Sequence, residues 1–485
     1  MKTIVATTVR AVLAVGMSLL CACATAKHSL LRSSVTHGVI AGEVTQSTAL
    51  LWGRCDRAGA ARAQYRTAGE ADWHTTAAVP VAADHDFTAT LAIDGLRPDT
   101  PYEYRVSCRP DLDFSGAVGG VFHTAPSSDT AAPITFLWSG DVGGQNVCRD
   151  RNLGYPIFAA LSAQPAEFFV ALGDMIYGDD PCRATGRYGN TQIPGPASAA
   201  GDVAGYWAYW KYNREDDGLR HFLGSTATYA VWDDHEVRND FGPLRDTDAA
   251  GRHLMPFGLQ AFRDYNPLAA GVMYRRVRWG KQLEIFFLDT RSYRDPNDAS
   301  DAPQRAKTML GAEQREWLKA GLSQSTATWK VVVSSVPLSI PSGKAEAHDG
   351  WANGNGTTGF ENELLDILRF TQRHDVRNQL WITTDVHFAS VQHLAPFADA
   401  PSFELYEVST GPLHAGVFPD LTLDPTLRPQ RLFVHPTAVP ATADLEEALT
   451  WFNFGQVTIA ADGRMRLLIR DVHGQRLYEL DLSPR

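Results

Sequence analysis

Apolar runs of strand length alternate with stretches of helical spacing through most of this chain. The runs ITFLWSGD, EFFVALGD, YAVWDDHE, LEIFFLDT, WKVVVSSVPL and QLWITTDVH are nearly continuous in large apolar residues. Runs of that kind predict strands buried on both faces. Between them lie IFAALSAQ, EQREWLKAGL and ENELLDILRF, which read as helices. The alternation predicts an α/β domain with a buried sheet over residues 134–485. ELYEVST, FGQVTIA and RMRLLIRDV add strands toward the C-terminus.

Residues 35–125 have another texture. Short β-prone runs such as TALLWGRC and AQYRTA are separated by Gly, Ala and charge. In FTATLAIDGLRPDTPYEYRVSC a strand is expected around Thr88–Ile93, then a turn carrying two prolines. Tyr102, Tyr104 and Val106 alternate on the next strand. The stretch resembles a fibronectin type III or immunoglobulin-like sandwich, with Tyr102 in the place of a corner tyrosine. A small all-β domain without catalytic groups is expected at 35–125, joined by a Pro/Ser/Thr/Ala-rich linker at 126–133. Segments 179–205 and 341–359 read as long loops near a site.

Composition narrows the partners. The chain has 485 residues and a formal charge of −11. That balance argues against stable nucleic-acid binding and against an anionic membrane surface. A phosphorylated substrate stays open, because a metal or a local arginine reverses the local field. A monomer is expected.

Residues 1–26 carry Lys2 and Arg10, an apolar stretch and Ala24-Thr25-Ala26, the pattern of a secretory signal peptide. Leu20-Cys21-Ala22-Cys23 also resembles a lipobox, which would place a lipid anchor on Cys23. Soluble export (periplasmic or extracellular) and anchoring at the cell surface are both open. Cys55, Cys108, Cys148 and Cys182 remain, an even number in an oxidising compartment. Pairing Cys55 with Cys108 and Cys148 with Cys182 keeps each bridge within its own domain.

The acids fall in a pattern. Apolar runs end at Asp141, Asp174, Asp233-Asp234, Asp289 and Asp385. Open α/β sheets bind ligands beyond the carboxyl ends of their strands, so these acids are expected to converge. Two like charges ~4 Å apart cost ~4 kcal/mol at an effective dielectric of 20. Convergence therefore demands protonation or cations. His235 follows Asp234, and His387 stands two residues after Asp385, a spacing that suits joint ligation on an extended segment.

With these residues in place, the chain resembles the calcineurin-like metallophosphoesterases. The matching segments are Gly140-Asp141-Val142-Gly143, Gly173-Asp174-Met175-Ile176-Tyr177, Trp232-Asp233-Asp234-His235-Glu236 and Thr384-Asp385-Val386-His387. WDDHEVRND, LDTRSYRD, LGAEQREWL and WKVVVSSVPL, in that order after a β-sandwich, are similar to the PhoD-like alkaline phosphatase/phosphodiesterase family. The resemblance implies a four-layer α/β/β/α sandwich and a site built on Fe³⁺ and Ca²⁺. It implies hydrolysis of small or polymeric phosphate esters by hydroxide generated at the metals. The alternatives are a narrow specificity for lipid, teichoic acid or nucleic acid diesters, and a non-catalytic calcium-binding surface protein.

Three departures from the family pattern stand out. Asp141 occupies the place of a family cysteine, Thr384 that of a glycine, and Ser334-Ser335-Val336-Pro337 a stretch where many metallophosphoesterases carry histidine. More oxygen ligands favour hard ions. The resemblance assigns Asp141, Asp174, Tyr177, Asp234, Asp385 and His387 to metals, with Asp174 bridging. It assigns His235 to stabilising or protonating the reacting group and Glu236 to orienting His235. Arg291 is expected either to clamp a phosphate oxygen or to pair with Asp289. Tyr206, Tyr209, Trp210 and Asn213 share a helical face, expected to pack in the core or to wall the substrate.

Overall fold

The computed structural model describes residues 34–109, 114, 116–243 and 249–485, with side chains of 249–252 left out. The expected signal peptide, Cys21 and Cys23 lie outside the described residues.

Two sheets lie face to face. The first runs in the order Arg476–Leu482, Met465–Asp471, Asn453–Ile459, Ile134–Ser139, Phe168–Ala171, Ala227–Ala230, Val35–Gly42, Ala49–Cys55, Thr88–Ile93. The second runs Arg275–Trp279, Leu283–Phe287, Trp329–Val333, Gln379–Thr383, Leu405–Ser409, Ala389–Leu394, Pro429–His435. The central strands of both are parallel, with Phe168 opposite Phe136 and Ile285 opposite Val331.

Alternate side chains divide the apolar runs between two cores. Phe136, Trp138, Phe168, Val170 and Tyr229 meet Ile285, Phe287, Val331, Val333 and Leu380 between the sheets. Leu137, Phe169 and Ala171 face outward, against helices Ile157–Ser162, Val203–Arg214, Asp217–Ser225 and Ala249–Tyr265. Phe286, Val332 and Trp381 face helices Gly311–Gln324 and Glu361–Arg373. Burying each such side chain stabilises the fold by about 1.5–3 kcal/mol. The result is the α/β/β/α sandwich.

The N-terminal β part shares a sheet with the rest. Gly42 pairs in parallel with Thr228, so Val35–Gly42 covers what would be an open edge at Ala227–Ala230. A Cβ on Gly42 would lie 2.6 Å from the Thr228 carbonyl oxygen and 2.4 Å from Pro267, so the approach requires glycine. A second small sheet pairs His74–Thr75, Gly59–Thr67, Pro101–Ser107 and Val118–His123. The Arg97 backbone N–H donates to the Tyr102 hydroxyl at 2.8 Å, the contact of a tyrosine corner. Cys55 bonds to Cys108, and Cys148 to Cys182. Among the described residues no helix is long and apolar enough to cross a membrane.

Candidate metal centre

Strands Ile134–Ser139, Phe168–Ala171, Ala227–Ala230 and Gln379–Thr383 point their carboxyl ends at one place. Asp141, Asp174, Asp233-Asp234 and Asp385 follow within a few residues of those ends. The backbone there is left-handed at Asp141 (φ 67°), Asp174 (φ 52°), Asp385 (φ 78°) and His387 (φ 58°). Such a conformation costs about 1–3 kcal/mol per non-glycine residue and gathers at functional sites. Close approach of the strand ends depends on Gly173, whose added Cβ would lie 2.5 Å from the Asp233 Cβ.

The acids converge in overlapping groups. Asp141, Asp174 and His387 each offer a ligand atom within 4.8 Å of the others. So do Asp174, Asp234 and His235; Asp233, Asp234 and Asp385; and Asp234, Asp240 and Asp349. Asp174 is common to the first two groups and Asp234 to the last three. Burial, then the neighbouring carboxylates, pushes the Asp174 and Asp385 carboxyls well above their usual range. Asp141 rises for the same first reason, against the hydrogen bond from Thr384. Asp141 Oδ1, Asp233 Oδ2 and Asp385 Oδ2 are buried with no hydrogen-bond donor. Crowded, buried and unpaired carboxylate oxygens fit hard cations.

The histidine tautomers are set by neighbours. His387 Nδ1 contacts the Gly416 carbonyl oxygen, which accepts its proton. That leaves Nε2 as a lone pair, 3.0 Å from the Tyr177 hydroxyl and 3.7 Å from Asp141 Oδ1. Burial first, then the charges of His235 and Arg187, lowers the His387 pKa to about 3, so the ring is neutral and ready to ligate. Tyr177 lies flat against backbone: a Cβ on Gly144 would sit 2.3 Å from its ring.

His235 is held differently. Its Nδ1 is 2.6 Å from Asp179 Oδ1, and Asp179 Oδ2 accepts the Asn239 backbone N–H. Burial opposes the charged ring, but Asp179 and Asp234 outweigh it and hold the pKa up at about 10. Nδ1 is thereby committed and Nε2 is the nitrogen that can serve the site.

Three expectations need correction. Arg291 is fully buried and reaches no open space where a phosphate could meet it. Its Nε donates to Asp233 at 2.6 Å, Nη1 and Nη2 to Asp349 at 2.8 and 2.7 Å, and Nη1 also to the Phe241 carbonyl. Its contact with Asp289 is through the backbone N–H, at 3.2 Å. Glu236 does not orient the His235 ring. Its carboxylate accepts the backbone N–H groups of Asp174, Met175 and Asp233 at 2.8–3.0 Å, fixing the two strand ends. Asp385 and His387 fall in different groups of close ligand atoms rather than one, and the backbone is left-handed at both.

Asp179 and Asp349 escaped the sequence reading; both sit in the long loops it placed near the site. The aromatic helix packs in the core, with Trp210 stacked on Tyr265. Its Asn213 donates to the Met175 and Val142 carbonyls, tying it to the loops that follow Asp174 and Asp141.

A family model described as PhoD-like phosphatase matches residues 136–465. The chain belongs to the PhoD-like phosphatase family. The model of the N-terminal domain of PhoD-like phosphatases matches residues 22–126. Alkaline phosphatase D of Bacillus subtilis is 25% identical over 332 residues, covering 62% of this chain and 53% of that protein. The match thus spans about half the length of that relative. A solved structure of PhoD superposes with TM-score 0.71 at 18% identity, over 93% of this chain and 90% of the other. The purple acid phosphatase PPD1 of yellow lupin gives TM-score 0.60 at 12% identity, over 93% and 74%. These two structures share the PhoD-like fold with this chain.

Proposed function

We propose that this chain is an exported, metal-dependent phosphoric ester hydrolase acting on phosphomonoesters and phosphodiesters. The observation that carries the reading is the sharing of Asp174 and Asp234 between groups of converging acids, in which one oxygen each of Asp141, Asp233 and Asp385 is buried without a hydrogen-bond donor. Family membership and the alkaline phosphatase D relative support it. Two disulfides support export. Whether Cys23 carries a lipid is tested by radiolabelled palmitate.

Asp141, Asp174, Tyr177 and His387 would hold a trivalent ion, for which Fe³⁺ is proposed because a strongly Lewis-acidic ion stabilises a phenolate ligand. Asp234 and Asp385, with Asp174 shared, would hold Ca²⁺. Bound ions would neutralise phosphate charge and lower the pKa of water.

The chain's own residues do the rest. Glu236 holds the two strand ends in register, so the acids stay fixed during the reaction. Arg291 neutralises Asp233 and Asp349 from behind. Asp179 fixes the His235 ring, whose Nε2 would donate to a phosphoryl oxygen or to the leaving group.

The test is turnover of p-nitrophenyl phosphate and bis(p-nitrophenyl) phosphate by iron- and calcium-loaded protein, with chelator and with Asp174→Asn as controls. Hydrolysis abolished by both controls is expected. Absence of hydrolysis of either ester by folded, loaded protein would sink the proposal.

A further inference from the structure

The mouth of the site carries a cation that the reaction described above does not use. Arg187 is exposed, and among the described residues no carboxylate pairs with it. Its guanidinium is nevertheless held in place. It lies 5.6 Å from the Phe418 ring centroid and 5.9 Å from that of Tyr188. Its own backbone N–H donates to the Asn146 carbonyl, and the Tyr188 hydroxyl accepts the Val417 N–H at 3.2 Å. The Cys148–Cys182 bridge anchors the start of this loop. Gly416 leaves room for the arginine: a Cβ there would lie 2.7 Å from Arg187 Nη1.

The position relative to the metal centre is specific. Phe418 also packs on the His387 ring, centroids 4.9 Å apart. The order His387, Phe418, Arg187 puts the guanidinium one aromatic ring beyond the acids. Phe418 thus stands between the guanidinium and His387, a member of the first group of candidate ligands. Beside Arg187 opens a cleft of about 240 Å³ lined by Tyr188, Val417, Pro419, Val439 and Pro440. Most of the residues that line it are apolar, and Arg187 is one of the lining residues. A guanidinium within cation–π range of two rings and without a carboxylate partner is available for bidentate contact with an anion.

We propose that Arg187 reads the part of the substrate beyond the scissile phosphate, selecting esters whose organic arm carries a second anionic group. The apolar cleft takes the arm, and Arg187 takes the anion at its end. The inference rests on the hydrolase reading above and names a substrate class for it. No step of bond making or breaking is assigned to Arg187; it acts through binding.

The experiment compares phenyl phosphate with its para-carboxylate derivative, using metal-loaded wild type, Arg187→Gln and Arg187→Glu. The ratio of kcat/KM for the carboxylate to that for phenyl phosphate is expected to fall about tenfold in Arg187→Gln, and further in Arg187→Glu. Thermal melting of the three proteins checks that all are folded. A ratio that does not move while both esters turn over overturns the proposal. Equal loss on both esters, with weaker inhibition by inorganic phosphate, also overturns it, since the arginine would then touch the scissile phosphate. Failure of the loaded wild type to hydrolyse either ester would instead overturn the hydrolase reading beneath it.

Discussion

The Thr384 hydroxyl donates to Asp141 Oδ2 at 2.6 Å. The two residues come from different strand ends, and both depart from the family pattern in sequence. The bond engages one oxygen of Asp141 and leaves Oδ1 bare for a cation. A Cβ on Gly411 would lie 2.2 Å from Asp141 Oδ2 and 2.8 Å from Thr384 Oγ1, so the pair is packed against bare backbone. Thr384→Val keeps the shape and removes the donor. Outer partners of metal ligands are worth about 10–100-fold in metal affinity. Metal retention at the Asp141 group is expected to fall in that range, measured by competition with a chelator, with little change in melting temperature. Unaltered retention would remove Thr384 from any role in binding.

Asp179→Asn tests the fixing of His235. The amide can no longer accept strongly from Nδ1, so the ring loses both orientation and charge. A positioned proton donor contributes about 10²–10⁴-fold, most where the leaving group is a poor one. The variant is expected to lose about 100-fold in kcat on alkyl phosphates and much less on p-nitrophenyl phosphate, whose phenolate departs without a proton. Equal losses on both would place Asp179 in a purely structural role.

How far the site was legible in the sequence follows from the physics of each residue. Asp141, Asp174, Asp234 and Asp385 were readable because each ends an apolar run, and strand direction alone gathers such ends. Asp179 was not, because its partner His235 stands on another strand end and nothing local marks the pairing. Glu236 was misread from its neighbour in sequence. The turn after Asp234 carries its carboxylate to the backbone N–H groups of Asp174, Met175 and Asp233. Arg291 was left between a phosphate clamp and a pair with Asp289 because the loop acid that occupies it, Asp349, is distant in the chain. The four layers were legible from alternation of runs. The joining of the N-terminal strands to the same sheet was not, because it turns on one long-range pairing at Gly42.

Arg291→Met separates a structural from a binding role. The change leaves Asp233 buried without its counter-charge and Asp349 with Arg294 alone. Breaking a buried pair in this way costs about 3–5 kcal/mol. Burial works against the Asp349 carboxylate, and the Arg291 and Arg294 charges hold its pKa well below the usual range. Urea denaturation of the metal-free protein is expected to show a loss of that size. Stability within about 1 kcal/mol of wild type, with a raised KM, would return Arg291 to the substrate.

Tyr177 predicts a colour. Burial first, then Asp174 and Asp141, pushes its phenol well above the usual pKa, so it stays protonated without a cation. A strongly Lewis-acidic ion reverses that balance. Protein loaded with Fe³⁺ is expected to absorb in the visible, and Tyr177→Phe to abolish the band while melting normally. A band that survives in Tyr177→Phe removes the phenol from the ligand set.

His37 gives a pH dependence remote from the metal centre. Burial first, then the charges of Arg54 and Lys211, lowers its pKa from 6.5 to about 4. Asp86 opposes this, and Arg220 adds to it. Its Nδ1 is buried with no hydrogen-bond partner. The folded pKa lies below the unfolded one, so the unfolded chain binds the proton first as pH falls. The contribution is complete above about pH 6.5 and is lost progressively down to about pH 4. His37 has φ 62°, a conformation that asparagine tolerates well, so His37→Asn removes the titration without straining the backbone. The melting temperature of the wild type is expected to fall more steeply between pH 6.5 and 4 than that of the variant. Parallel curves would mean that the imidazole is solvated and titrates alike in both states.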